Sequence, residues 1–231
     1  MSARYGIYFS PDRHSPWREF GAHWLGRDEH DSAALAQPRL DGISPAAFRQ
    51  LTEKPRRYGF HATLKAPFRL VDGQEEADLV RQLGTLALTL KPLALGPLRV
   101  ATLGSFVALV PENPPAGLNA LAASCVQGLN ALRAPLRDDE LARRRATPLV
   151  PREAELLARY GYPHVMERFR LHLTLTGPVE PTVAWRITHA VAPQVAQLNA
   201  DAPLWLDRLC LFVERTPGGP FHRTLDLRLQ P

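Results

Sequence analysis

The chain has 231 residues and a formal net charge of +5, with 45% hydrophobic and 22% charged residues. That is the balance of a soluble globular protein with enough chain for a sizeable core, built as one large domain or two small lobes. No apolar run approaches the ~20 residues a membrane span needs, and the start Met1-Ser2-Ala3-Arg4-Tyr5 lacks the build of a secretory signal, so no membrane partner and a cytoplasmic protein are expected.

Cys125 and Cys210 fall in separate predicted elements. Neither sits in a ligand spacing, which speaks against a disulfide framework or a structural zinc and for core thiols. The cations are overwhelmingly arginine, whose fork suits phosphate. They are spread along the chain, so an anionic small molecule is favoured over RNA as partner. Oligomeric state is not encoded in any pattern.

Residues 3–9 alternate as a short aromatic strand closed by Ser10-Pro11-Asp12, with Tyr5 or Tyr8 able to reach a cleft. Ser15-Pro16 and Gly26 bracket a helix over 17–25. A short helix is expected over 45–52. Lys54, Arg56 and Arg57 follow it, directly before the next strand, and could grip a second phosphate.

Residues 60–67, Phe-His-Ala-Thr-Leu-Lys-Ala-Pro, alternate with period two and read as a half-buried strand. His61, Thr63 and Lys65 then share the polar face. Asp72-Gly73 turns the chain into a helix with acids in its first turn, running to about residue 90. Strands near 95–102 and 105–110 follow, then a helix from about 114 to 129. Residues 138–145 place acids before bases, as a short solvated helix would. Another helix spans 151–160, and the turn Tyr160-Gly161-Tyr162-Pro163-His164 offers Tyr162 as a specificity wall.

Residues 169–176 repeat the strand pattern, setting Arg170, His172, Thr174 and Thr176 on one face. A helix to about 198 and strands near 204–214 and 221–229 complete the chain. Both halves thus read strand, helix, hairpin, as an internal duplication would. A third near-copy, Phe221-His222-Arg223-Thr224-Leu225, carries Arg228 where the other two have proline, and reads as an ordinary sheet edge.

Two imidazoles titrate near neutrality, so one can act as base while the other acts as acid. Adjacent hydroxyls and cations would hold the non-bridging oxygens of a phosphate ester. The pair His61-x-Thr63 and His172-x-Thr174 resembles the tetrapeptides of the 2H (two-histidine) phosphoesterase superfamily. The flanking stretches Pro55 through Phe68, Arg133-Ala134-Pro135-Leu136, Gly161 through Met166 and Phe169 through His172 resemble its phosphonate-metabolism branch over nearly the whole chain.

That resemblance implies a LigT-like α+β fold of two pseudo-duplicated lobes, each an antiparallel sheet with outer helices, in a single domain over 1–231. The first His-x-Thr is expected in a lobe over roughly 54–135. The second is expected in a lobe over roughly 160–231 that also takes the strand 3–9. The implied reaction is hydrolysis of a cyclic phosphodiester without metal or cofactor, on a cyclic nucleotide or phosphoribosyl cyclic phosphate. His61 and His172 would be catalytic, and Thr63 and Thr174 would bind phosphate; Lys65 and Arg170, two residues from the histidine–threonine pairs on the same strand faces, extend that phosphate-binding set. Arg56, Tyr5 and Tyr162 are further substrate-binding candidates. RNA end processing and phosphate binding without turnover are the alternatives.

Overall fold

A computed structural model describes residues 3–230. The elements follow in the order β1 (Arg4–Phe9), α1 (Pro16–Leu25), α2 (Pro45–Leu51), α3 (Glu53–Tyr58), β2 (Ala62–Phe68), α4 (Glu76–Ala87), β3 (Leu93–Ala94), β4 (Leu98–Leu103), β5 (Phe106–Pro111), α5 (Leu118–Gly128), α6 (Asp138–Arg145), α7 (Pro151–Tyr160), β6 (Leu173–Thr174), α8 (Pro181–Asp201), β7 (Trp205–Leu206), β8 (Arg208–Glu214) and β9 (His222–Arg228). The fold is α+β with antiparallel pairing throughout. Seven strands form one sheet in the order β4-β5-β6-β2-β1-β8-β9, and β3 pairs with β7 in a separate two-stranded ribbon.

Local chemistry sets the helix ends. The Ser15 hydroxyl accepts from the Trp17 N–H, Pro16 opens α1, and Gly26 closes it at φ +73, a left-handed turn that costs glycine little. In α4 the Asp78 carboxylate reaches back 2.8 Å to the Glu75 N–H, which quiets an otherwise unpaired donor of the first turn. Residues 53–58, read from sequence as the approach to a strand, are helical instead.

One face of the sheet buries Ile7, Phe9, Ala62, Leu64, Leu173, Leu209 and Leu211 in the main core beside the aromatic stripe of α1 (Trp17, Phe20, Trp24). The opposite face carries a smaller cluster of Tyr8, Cys210, Phe212 and Phe221. Both cysteines are buried free thiols, and burial pushes each up to about 12.

Each hairpin pairs within one half of the chain but docks on a strand from the other. The hairpin β4-β5 joins the second His-x-Thr strand, β6. The hairpin β8-β9 joins β1, which pairs with the first His-x-Thr strand, β2. The expected allotment of residues to lobes therefore differs from the strand pairing. Periodicity fixes which face of a strand is buried, but it is silent on which neighbour a hairpin meets.

Candidate active site

The two His-x-Thr segments are immediate neighbours in the middle of the sheet. Ala62 on β2 is the antiparallel register partner of Leu173 on β6. Both are fully buried, so the residues flanking each point to the other face. Continued by one residue in each direction, the register sets His61 opposite Thr174 and Thr63 opposite His172. Directly opposed side chains start about 5 Å apart and diagonal ones about 7–8 Å, so the two imidazoles sit diagonally with the two hydroxyls on the other diagonal. All four side chains are half-buried.

The imidazoles are held alike. His61 Nδ1 lies 2.9 Å from the Gly59 carbonyl and His172 Nδ1 2.8 Å from the Arg170 carbonyl. A carbonyl only accepts, so in each ring Nδ1 carries the proton and the neutral form leaves Nε2 as the basic nitrogen. His61 Nε2 lies 3.2 Å from Thr63 Oγ1, which donates to it. Burial, opposed by the Gly59 hydrogen bond and reinforced by the charge of His172, pushes His61 down to about 4. Burial also lowers His172, against the pull of its bond to Arg170.

A cavity of about 320 Å³ opens on this face. His61, Thr63, Thr174 and Thr176 line it, with Arg4, Lys54 and Arg144 as cations and Tyr8, Tyr58, Phe106 and Tyr162 as aromatic walls. His172 does not itself line the cavity; its ring centroid lies 5.7 Å from that of Phe106, which does. Tyr8 stacks on His61, and its hydroxyl is buried without a partner among the described residues. The Arg144 guanidinium lies 4.5 Å from the Tyr162 ring centroid.

Four sequence-derived candidates lie elsewhere. Lys65 is buried, donating to the Val126 carbonyl at 3.0 Å, beneath the last turn of α5. The cause is a bulge. β1 pairs Tyr8 with Thr63 but Ile7 with Lys65, so one extra β2 residue breaks the alternation and turns Lys65 off the face of His61.

Arg170 is exposed, and its contribution to the arrangement is its carbonyl; the chain is irregular from 169 to 172, with strand only at Leu173–Thr174. Arg56 is consumed by structure, donating to the carbonyls of Leu25 and Arg49 and to the Thr52 hydroxyl, each at 2.7 Å. Tyr5 faces α4, its hydroxyl 3.3 Å from Glu76.

Tyr162 does reach the cavity wall. So do Arg4, Tyr58 and Arg144, which sequence reasoning passed over. Arg144 belongs to the charge run read as a solvated face, and periodicity gives no sign that α6 folds over the mouth of a cavity. His222, in the third near-copy, sits on the edge strand β9 with Nδ1 3.4 Å from the Ser32 hydroxyl, away from the cavity lining.

Sheet and site together define an α+β protein in which two histidine–threonine pairs lie on one sheet face, with His61, Thr63 and Thr174 lining a cation-rimmed cavity and His172 set behind Phe106 at its edge. The chain belongs to the family described as protein of unknown function DUF1045, whose profile matches residues 63–222. It is 39% identical to the ribose 1,5-bisphosphate phosphokinase PhnN of Janthinobacterium sp. (strain Marseille) over 94% of this chain and 49% of that protein. It is 36% identical to the protein of the same name from Laribacter hongkongensis (strain HLHK9), over 95% of this chain and 50% of that one. The chain thus spans about half the length of the curated relatives it matches. Among solved structures, one described as a phosphoesterase is 16% identical over all of both chains at a TM-score of 0.46. Kluyveromyces marxianus Usb1 is 12% identical over 98% of each at 0.40.

Proposed function

We propose that this chain is a two-histidine phosphoesterase that opens a cyclic phosphodiester without a metal. The observation that carries the reading is the register pair Ala62 and Leu173, which makes two identically tethered imidazoles diagonal neighbours with a hydroxyl opposite each.

His61, held more firmly neutral, takes the proton of the attacking water at Nε2. His172, protonated in the productive form, returns a proton to the departing sugar oxygen. The P–O bond to that oxygen breaks as the bond to the water oxygen forms, leaving a phosphomonoester. With substrate bound, Thr63 turns its hydroxyl proton from His61 Nε2, which frees that nitrogen for the water, and with Thr174 donates to the non-bridging oxygens, while Arg4, Lys54 and Arg144 offset the charge that builds there.

The names of the curated relatives point to phosphorylated ribose as the substrate class, and phosphonate breakdown is the setting that the sequence resemblance implies. The phosphokinase step itself lacks a signature here: the lysines, Lys54, Lys65 and Lys91, follow Glu, Leu and Leu, so no Gly-Lys-Ser/Thr phosphate loop is present in this chain. The reading is therefore of a separate hydrolytic step on the same class of compound.

The test is hydrolysis of a 2′,3′-cyclic nucleotide and of phosphoribosyl cyclic phosphate in excess chelator. His61→Ala and His172→Ala should each lose about 10²–10⁴-fold in rate. Undiminished turnover in either variant would falsify the assignment.

A further inference from the structure

Beside the histidine cavity lies a second one of about 420 Å³, and the two share Arg4 and Tyr58 as a common wall. Arginine dominates its lining: Arg4, Arg57, Arg69, Arg137 and Arg143, against the carboxylates Asp139 and Glu140.

The pairing of these groups leaves charge over. Arg4 and Arg57 both bond to the single carboxylate of Glu214, which is buried. Arg69 pairs with Glu140 at 3.1 Å and Arg143 with Asp139 at 2.7 Å. Arg137 is exposed and makes no side-chain bond among the described residues. Two guanidiniums' worth of positive charge is thus uncompensated around a concave space, which focuses the field on whatever enters it. A phosphomonoester carries about −2 at neutral pH and accepts the paired N–H fork of arginine.

One short helix serves both cavities. α6 and its N-cap present Arg137 and Arg143 to the second and Arg144 to the first, while no residue of α6 is buried. The Arg69–Glu140 pair and the contact of Arg144 with Tyr162 hold it there. The arginines gather in a cup rather than along an open groove, which suits a compact anion better than a polynucleotide that must run on past the site.

We propose that this arginine cavity binds a terminal phosphomonoester of the same molecule whose cyclic phosphodiester lies at His61 and His172. The substrate is then a small sugar phosphate with two separate phosphoryl groups. The inference rests on the phosphoesterase reading and goes beyond it by assigning a second subsite and by fixing what the substrate must carry.

The experiment compares kcat/KM for adenosine 2′,3′-cyclic phosphate with and without a 5′-phosphate, in the wild type and in Arg137→Ala/Arg143→Ala. Charge-assisted contacts of this kind are worth a preference of about tenfold or more for the phosphorylated compound. The double variant should bring the ratio close to one, and a ratio within one protein is insensitive to loss of folded enzyme. No preference in the wild type, or a preference that survives the double substitution, overturns the subsite while leaving the hydrolytic reading intact.

Should neither compound be cleaved, the hydrolytic reading fails. The subsite is then judged by calorimetry with ribose 5-phosphate: binding that weakens about tenfold in the double variant upholds it, and absence of binding ends it. A 5′-hydroxyl oligoribonucleotide with a cyclic end that is cleaved faster than either mononucleotide, with steep salt dependence, would assign the arginines to a polymer instead.

Discussion

Tyr8 lies nearly face to face with His61, the ring centroids 3.9 Å apart and the planes at 27°. The phenol is fully buried and keeps water from one side of the imidazole, which is the same desolvation that pushes His61 down to about 4. Tyr8→Ala admits water to that side. The expected outcome is a rise of the His61 pKa from about 4 towards its ordinary 6.5, followed by nitrogen-15 NMR of the ring. An unmoved titration would show that the desolvation comes from the other walls around the ring.

The pH dependence of the proposed reaction follows from the two histidines. If His61 must be neutral and His172 protonated, kcat/KM rises as pH passes upward through the His61 value of about 4 and falls as pH passes upward through that of His172. Burial holds the second below the ordinary 6.5. Both limbs of the bell are therefore expected on the acid side of pH 6.5, since kcat/KM reports the free enzyme. Bound substrate anion favours the charged imidazole and moves the kcat profile towards neutrality. A kcat/KM maximum at pH 8 would contradict the assigned protonation states.

How far the sequence disclosed this arrangement depends on which residue is asked about. Alternation alone put His61 with Thr63 and His172 with Thr174 on solvent-side faces, because a period of two is a local property that tertiary packing rarely overturns where one face is buried. The same rule failed two residues later at Lys65, where a bulge against Ile7 and Tyr8 breaks the alternation. Nothing in residues 62–68 announces the extra residue. Tyr5 and Tyr8 share aromatic character, yet three positions apart on a strand they take opposite faces, one ring towards α4 and the other to the cavity. The arginines of α6 were invisible for a different reason: their role comes from where a helix without a buried face is tethered, by Glu140 to Arg69 and by Arg144 to Tyr162. Strand pairing between the halves was likewise beyond any local pattern.

Lys65 makes a second pH prediction, this one on stability. Desolvation, with help from the charge of Arg133, pushes its ammonium down to about 7, although it donates to the Val126 carbonyl. The unfolded chain holds the proton up to about 10.4. Between these values the unfolded state binds more protons, so unfolding free energy rises with pH across about 7–10 from this residue. Below pH 7 both states are protonated and the folded state bears the full burial penalty. Urea denaturation of the wild type at pH 7 and pH 9 should show that rise, and Lys65→Met should remove it. Lys65→Met should also leave turnover within a few-fold, because the ammonium lies off the face that carries the histidines.

Gly21 and Gly84 both lie inside helices, in α1 and α4, and should respond to alanine with opposite signs. A Cβ on Gly21 would lie 1.9 Å from Phe60 Cγ and 2.5 Å from Phe60 Cβ. Those atoms sit at the root of the side chain, so no change of rotamer relieves the clash and the backbone of Phe60 has to move. Phe60 is fully buried, packs edge-on against Phe20, and immediately precedes His61. Gly21→Ala is therefore expected to cost about 1–3 kcal/mol, as overpacking does, and to lower kcat/KM by displacing the His61 ring from its hydrogen bond to the Gly59 carbonyl. At Gly84 a Cβ meets nothing within 4 Å. Gly84→Ala keeps a helical backbone and restricts the unfolded chain, so it should stabilise by about 0.5–1 kcal/mol with activity unchanged. Urea denaturation of the two variants side by side is the measurement. A Gly21→Ala protein as stable as the wild type would mean that α1 is not in fact clamped against the strand that positions His61.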